Sequence, residues 1–248
     1  GKRFEIDRLR EVLAEVNDMT ASYRKVLAMN RNRPAPYNAL TDGTVYLGVS
    51  NAFRGTREGS LYFRQLVEEL EYKVASGIGS VEKEEFRLAV AGVPCYPIYR
   101  KFNEMFSRWG GSFVVSTYMQ FASGGLNVDF AYDLKHPVES LAEGILLTVR
   151  DAMDSMFYPE QILESSIAPY GVDGIVFHPV KSCRTTSTGM ADARRVLMER
   201  TGLPSLLLES DMMDRRVVSE AQMKNRADAF FESLRSKRAQ AVRSGGQA

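Results

Sequence analysis

The stretch Gly174-Ile175-Val176-Phe177-His178-Pro179-Val180-Lys181-Ser182-Cys183-Arg184 decides the fold. A short apolar run of β-type residues ends at a proline, and a cysteine follows in a polar loop. A segment rich in Ala, Arg and Leu, with helical character, then begins near Thr188. Strand, loop and helix form the repeating unit of an open α/β sheet, and such sheets bind ligands outside the carboxyl ends of their strands. Cys183 stands at that place, close to backbone N–H groups that favour a thiolate or another anion.

Working outward, the same grammar recurs. Downstream, Ser205 to Glu209 reads as a strand introduced by Gly202 and Pro204, and a long helix from about Val218 to Arg238 closes the chain. Upstream, Phe86 to Ala91 is a strand ending in Gly92-Val93-Pro94-Cys95, followed by a helix from Ile98 to Trp109 and a strand from Ser112 to Thr117. A loop through Ser123-Gly124-Gly125 and two helices, about Val138 to Met156 and Pro159 to Tyr170, lead back to the opening stretch. Alternating strands and helices predict an α/β, Rossmann-like fold: a parallel four-stranded sheet flanked by helices. The strand ends then gather Cys95, Ser116-Thr117, Ser182-Cys183-Arg184 and Glu209-Asp211 on one edge.

The N-terminal part is helical. Ile6, Leu9, Leu13, Val16, Thr20, Tyr23 and Leu27 recur every three or four residues, one face of a helix from Glu5 to Met29. Pro34-Ala35-Pro36 stops it, and a connector rich in Gly, Asn and Thr runs to about Thr56. A second helix follows through Leu61, Phe63, Leu66, Val67, Leu70 and Val74. Gly77-Ile78-Gly79 precedes a charged turn instead of following a strand, so it is a helix stop and not a nucleotide fingerprint. Residues 1–82 thus read as a helical segment added to a Rossmann-like domain over 83–248.

Composition narrows the function. The net charge is +1 with no basic stripe along a helix face, which speaks against nucleic acid. No apolar run is long enough to span a bilayer. Two cysteines do not make a disulfide framework, and a reducing cytoplasm is the expected compartment. No GxxxxGK[ST], HExxH or Ser–His–Asp order is present, so ATP has no P-loop here. His178 on an alternating strand reads as a satisfied core histidine, and His136 before Pro137 as a residue that caps or packs at a helix start. Cys95, between Pro94 and Pro97, reads as turn packing. Glu209 and Asp211 could form an acid/base pair, but Asp211 and Asp214 are equally good helix-start residues, and Asp214 with Arg215 and Arg216 reads most simply as a surface ion-pair group.

The run from Asp173 to Cys183, then Gly202-Leu203-Pro204-Ser205-Leu206-Leu207-Leu208-Glu209-Ser210-Asp211, resembles one family. The continuation Asp214-Arg215-Arg216, Ser219, Gln222, Arg226, Ala229-Phe230 and Leu234 carries the same resemblance. The family is that of the 2-hydroxyacyl-CoA dehydratases and ATP-dependent benzoyl-CoA reductases. Gly111-Ser112-Phe113-Val114-Val115-Ser116-Thr117-Tyr118, after Gly92-Val93-Pro94, looks most like the larger core subunit of the reductases. The resemblance runs over about residues 60 to 238 and is weak over the first helix.

That resemblance implies a 4Fe–4S cluster between two Rossmann-like domains, held by three cysteines of the subunit. Cys183 matches the last, and the two earlier ones are not in this sequence. The chain, which begins at Gly1 without a methionine, is therefore expected to be the C-terminal portion of a longer subunit or a truncated relative. It further implies an acyl-CoA substrate, a second core subunit and a separate ATP-hydrolysing iron–sulfur activator that delivers low-potential electrons. The electron reaches the thioester carbonyl; a dehydratase then expels a hydroxyl, whereas a reductase reduces the aromatic ring. Thr117, Ser182 and Arg184 are placed by the inferred topology to orient the substrate.

Overall fold

Side-chain alternation along the first strand sets the layers. In the computed structural model, which describes residues 3–122, 129–153 and 158–245, Phe86–Gly92 forms β1. Leu88 and Val90 face a core completed by Phe102, Phe106, Phe230 and Phe231, whereas Ala89 and Ala91 face one completed by Leu163 and Leu197. A strand buried on both faces belongs in the interior of a parallel sheet. It is flanked there by β2 (Gly111–Ser116) and β3 (Gly174–His178), with β4 (Ser205–Leu207) outermost. All pairings are parallel and the order is β2-β1-β3-β4.

Helices cover both faces. On one lie α4 (Tyr99–Ser107) and α10 (Glu220–Gly245), on the other α7 (Tyr158–Tyr170) and α9 (Met190–Thr201). The first face is aromatic: Phe231 packs on Phe86 at 5.4 Å between ring centres and stacks on Trp109 at 5.4 Å. The α/β expectation therefore holds, with β3 as read and β1 and β2 each within one residue of their expected bounds.

The helical segment supplies α1 (Ile6–Met29), α2 (Thr41–Ala52) and α3 (Arg57–Ala75). Met19, Tyr23 and Phe63 share one continuous core with Phe86, Leu88 and Phe113, so residues on both sides of position 82 pack together. Arg87 fastens the junction from the buried start of β1. It donates to Glu84 Oε1 at 2.5 Å, Asn32 O at 3.0 Å and Tyr170 O at 2.6 Å, and also to Asn30 O.

Several elements depart from the sequence reading. The expected connector before Thr56 contains α2, whose start is built by reciprocal side-chain bonds. Asn38 Oδ1 accepts from Leu40 N at 2.9 Å and Thr41 N at 3.2 Å, while Asp42 Oδ2 accepts from Asn38 N at 2.8 Å. The residues after β2 form a short helix, α5 (Thr117–Ala122), so Thr117 opens a helix instead of ending a strand. The helix expected from Thr188 is split into α8 (Arg184–Ser187) and α9, because Thr188 is extended and Gly189 has φ 79°. β4 is shorter than expected, and α10 runs past Arg238. Between Pro137 and Met153 lies α6, and the expected Ser123-Gly124-Gly125 loop falls outside the described residues, as does the end of the helix expected to reach Met156. Gly77, at φ 67°, ends α3 as read, with Ile78 N donating to Lys73 O at 2.8 Å.

Candidate functional site

β1 and β3 are neighbours, yet the helices that follow them, α4 and α9, lie on opposite faces of the sheet. Outside their carboxyl ends the covering helices part, which is the switch point where such sheets hold ligands. Two loops flank it, Val93–Cys95 after β1 and Pro179–Cys183 after β3. They are held close: a Cβ on Gly92, whose φ is 107°, would sit 2.4 Å from the His178 carbonyl oxygen. The Gly92 N–H donates to Thr117 Oγ1 at 3.2 Å.

The β3 loop and the first residue of α8 carry three of the four expected site residues. Cys183 is half-buried and precedes α8, its N–H donating to Val180 O at 3.1 Å. The Thr186 hydroxyl, then the Thr186 amide, favour the thiolate and lower the pKa; burial opposes them, and the Thr185 amide adds a lesser lowering. Ser182 and Arg184 are exposed on either side of it. An open cleft of about 450 Å³ adjoins, lined by Pro179, Val180, Lys181, Arg184, Ser187 and Glu209 among others. Lys181 Nζ lies 3.3 Å from Glu209 Oε1, so Glu209 is half of an exposed ion pair. Thr117 is apart from this group: it is buried beyond β2, with β1 between, and its hydroxyl oxygen is taken up by Gly92.

Behind the loop lies a buried polar chain that sequence reasoning only half saw. His178 Nδ1 is 2.6 Å from Val93 O and Nε2 is 2.6 Å from Ser210 Oγ. A carbonyl only accepts, so Nδ1 carries the hydrogen and Nε2 accepts from the serine. Burial first, against its hydrogen bond to Val93, lowers the His178 pKa, and the ring is the satisfied core histidine expected. Cys95 lies fully buried with Sγ 3.5 Å from Ser210 Oγ, and burial pushes its thiol up. Its role is packing, as read.

Asp211 does more than start a turn. Its Oδ1 accepts from Met213 N at 2.9 Å and Asp214 N at 3.0 Å, and its Oδ2 from Ser182 N at 3.0 Å. The Ser182 hydroxyl beside it is the largest of the causes, followed by these N–H groups, that hold the carboxyl well below the usual range. It is therefore not paired with Glu209 for acid/base work. Asp214 grips Arg216 through both oxygens, at 2.9 and 2.7 Å, whereas Arg215 turns to Glu220 at 3.7 Å. His136 sits 2.9 Å from Asp133, just before the proline that opens α6.

A four-iron cluster normally takes three or four thiolates. Cys183 offers one at the crevice, and the second cysteine is buried against Ser210. Among the described residues no group of three His, Cys, Asp or Glu side chains converges as a metal site. These residues do not by themselves complete a cluster site.

Comparison with known proteins places the chain. Residues 1–234 match the family model described as 2-hydroxyglutaryl-CoA dehydratase, D-component. A benzoyl-CoA reductase subunit of Thauera aromatica is 32% identical over 246 residues, covering 96% of this chain and 56% of the relative. The (R)-2-hydroxyisocaproyl-CoA dehydratase alpha subunit of Clostridioides difficile is 25% identical over 243 residues, with 96% and 56% covered. The alpha subunit of (R)-2-hydroxyglutaryl-CoA dehydratase from Acidaminococcus fermentans is 25% identical over 240 residues, with 94% and 47% covered. The chain thus spans about half the length of these relatives and, with its parallel sheet and crevice cysteine, belongs to the 2-hydroxyglutaryl-CoA dehydratase D-component family.

Proposed function

We propose that this chain is the sheet-bearing part of a core subunit of an iron–sulfur enzyme that passes low-potential electrons to an acyl-CoA thioester, in the manner of a benzoyl-CoA reductase. The observation that carries this reading is the half-buried Cys183, presented at the switch point of the sheet in a chain 32% identical to a benzoyl-CoA reductase subunit. Cys183 supplies one thiolate to a 4Fe–4S cluster, and the remaining ligands come from outside the residues described here. Ser182 and Arg184 flank the sulfur and orient the acyl-CoA; Thr117 contributes from the β2 end by holding Gly92. A second core subunit and a separate ATP-dependent iron–sulfur activator complete the system. Among the described residues no helix is long and apolar enough to cross a membrane. The compartment proposed for the enzyme, from its two free cysteines, is a reducing cytoplasm.

A second reading, a 2-hydroxyacyl-CoA dehydratase, is favoured by the family model and by the dehydratase relatives. Product analysis with benzoyl-CoA and with a 2-hydroxyacyl-CoA, each supplied with activator, ATP and reductant, separates the two. Ring reduction without dehydration is the expected result. A third reading, a partner that only completes the complex, predicts unchanged turnover for Cys183→Ser. Our reading predicts that this variant of the full-length protein loses bound iron and activity, and that Cys95→Ser keeps its iron. Equal iron loss from both would mean the ligand is wrongly assigned.

A further inference from the structure

We propose that Asp211 is the positioning residue for the Cys183 sulfur: its carboxylate stands in for a rung of the sheet and fixes the loop that presents the thiol. The inference rests on Cys183 being the thiolate that the site uses.

The hydrogen bonds past the strand ends carry it. β3 and β4 remain laced after their last paired residues, with Leu208 N donating to Phe177 O at 2.8 Å and Ser210 N to Pro179 O at 3.3 Å. Lys181 N donates to Ser210 O at 2.9 Å, and Val180 and Ser210 form an isolated parallel bridge. The next backbone donor, Ser182 N, finds the side chain of Asp211 in place of a carbonyl, at 3.0 Å. One residue later Cys183 N turns back to Val180 O at 3.1 Å, and Ser187 Oγ closes the turn on both Val180 N, at 2.8 Å, and Val180 O, at 2.7 Å.

The two oxygens of Asp211 have separate tasks. Oδ1 satisfies Met213 and Asp214 in its own turn, as any turn-forming aspartate does. Oδ2 reaches across to the neighbouring loop, beside the cysteine. Only a carboxylate accepts on both sides. An asparagine would keep its oxygen on Met213 and Asp214 and turn an NH2 towards the Ser182 N–H, a donor facing a donor. Asp211→Asn therefore preserves the local turn and removes the tie to the cysteine loop.

The test uses the full-length protein in complex with its partner subunit, as wild type, Asp211→Asn and Cys183→Ser. For Asp211→Asn we expect a folded protein, amide exchange at Ser182 at least tenfold faster, and a rate of Cys183 alkylation by iodoacetamide in cluster-free protein changed by threefold or more. In iron-loaded complex the electron paramagnetic resonance spectrum of the reduced protein is expected to shift, a change that a merely structural turn would not produce. Unchanged exchange and alkylation in Asp211→Asn would overturn the clamp, whatever Cys183 binds. Faster exchange together with an unshifted spectrum, and full iron retention by Cys183→Ser, would leave the clamp in place but remove its link to iron. Should Asp211→Asn fail to fold, the wild type decides: a Ser182 amide protected from exchange supports the clamp, and one exchanging as fast as an unstructured peptide overturns it.

Discussion

Cys95 and Cys183 follow neighbouring strands, yet physical chemistry gives them opposite characters. The first is sealed under Ser210 with a raised pKa, the second is half-buried with a lowered one. Flanking prolines hinted at this difference, because they lock the Cys95 turn against the core. The tasks of Asp211 and Thr117 were not readable, since a turn aspartate and a small residue at a strand end look alike in sequence whether or not they reach a neighbouring loop. His178 supplies a pH prediction. Its folded-state pKa is lowered, so its contribution is complete above the ordinary value of 6.5 and is lost as pH falls towards the depressed value. Each unit of lowering is worth about 1.4 kcal/mol. His136, raised by Asp133, acts in the opposite sense, so the comparison must isolate His178. Urea midpoints for wild type are expected to drop on acidification below pH 6.5 more steeply than those for His178→Gln, and parallel curves would contradict this.

At the scale of elements, readability followed the strength of local periodicity and of punctuation. β3 announced itself because its apolar residues stop at Pro179, and α3 because Gly77 ends it at a positive φ. α2 was hidden: two of its 12 residues are glycine, only Asp42 is charged, and no apolar stripe repeats. The signal that could have found it is Asn38 four residues before Asp42, a pair that caps from both directions. The split between α8 and α9 depends on Ser187 bonding to Val180, a contact across the loop that periodicity does not encode. Gly92 joins β1 to its functional loop, and Gly92→Ala is a sharp test of the close crossing there. Backbone strain alone is worth about 1–3 kcal/mol. The His178 carbonyl, 2.4 Å from the added carbon, raises the penalty further. A urea midpoint within error of wild type would show that the crossing is looser than described.

For the whole molecule, the α/β class and the gathering of strand ends on one edge were open to sequence reasoning, because hydrophobic pattern fixes layers. The joining of the helical segment to the sheet was not, since it depends on an arginine inside a strand, where a charge is normally unwelcome. Arg87 is tolerated because every direction it points meets an acceptor. Arg87→Leu leaves Glu84, itself almost fully buried, without its partner and should cost about 3–5 kcal/mol in a urea titration. A loss below about 1 kcal/mol would assign the junction to apolar packing alone.

The same guanidinium gathers Asn30 and Asn32 after α1, Glu84 before β1 and Tyr170 at the end of α7. Departure of Glu84 would strand an ion in the dry interior, and departure of any of the others would leave a guanidinium N–H without an acceptor there. Peeling of the outer layer ahead of the rest is thereby suppressed, and melting becomes a concerted event. Fluorescence of Trp109, the only tryptophan, and far-ultraviolet dichroism should accordingly trace superimposable denaturation curves.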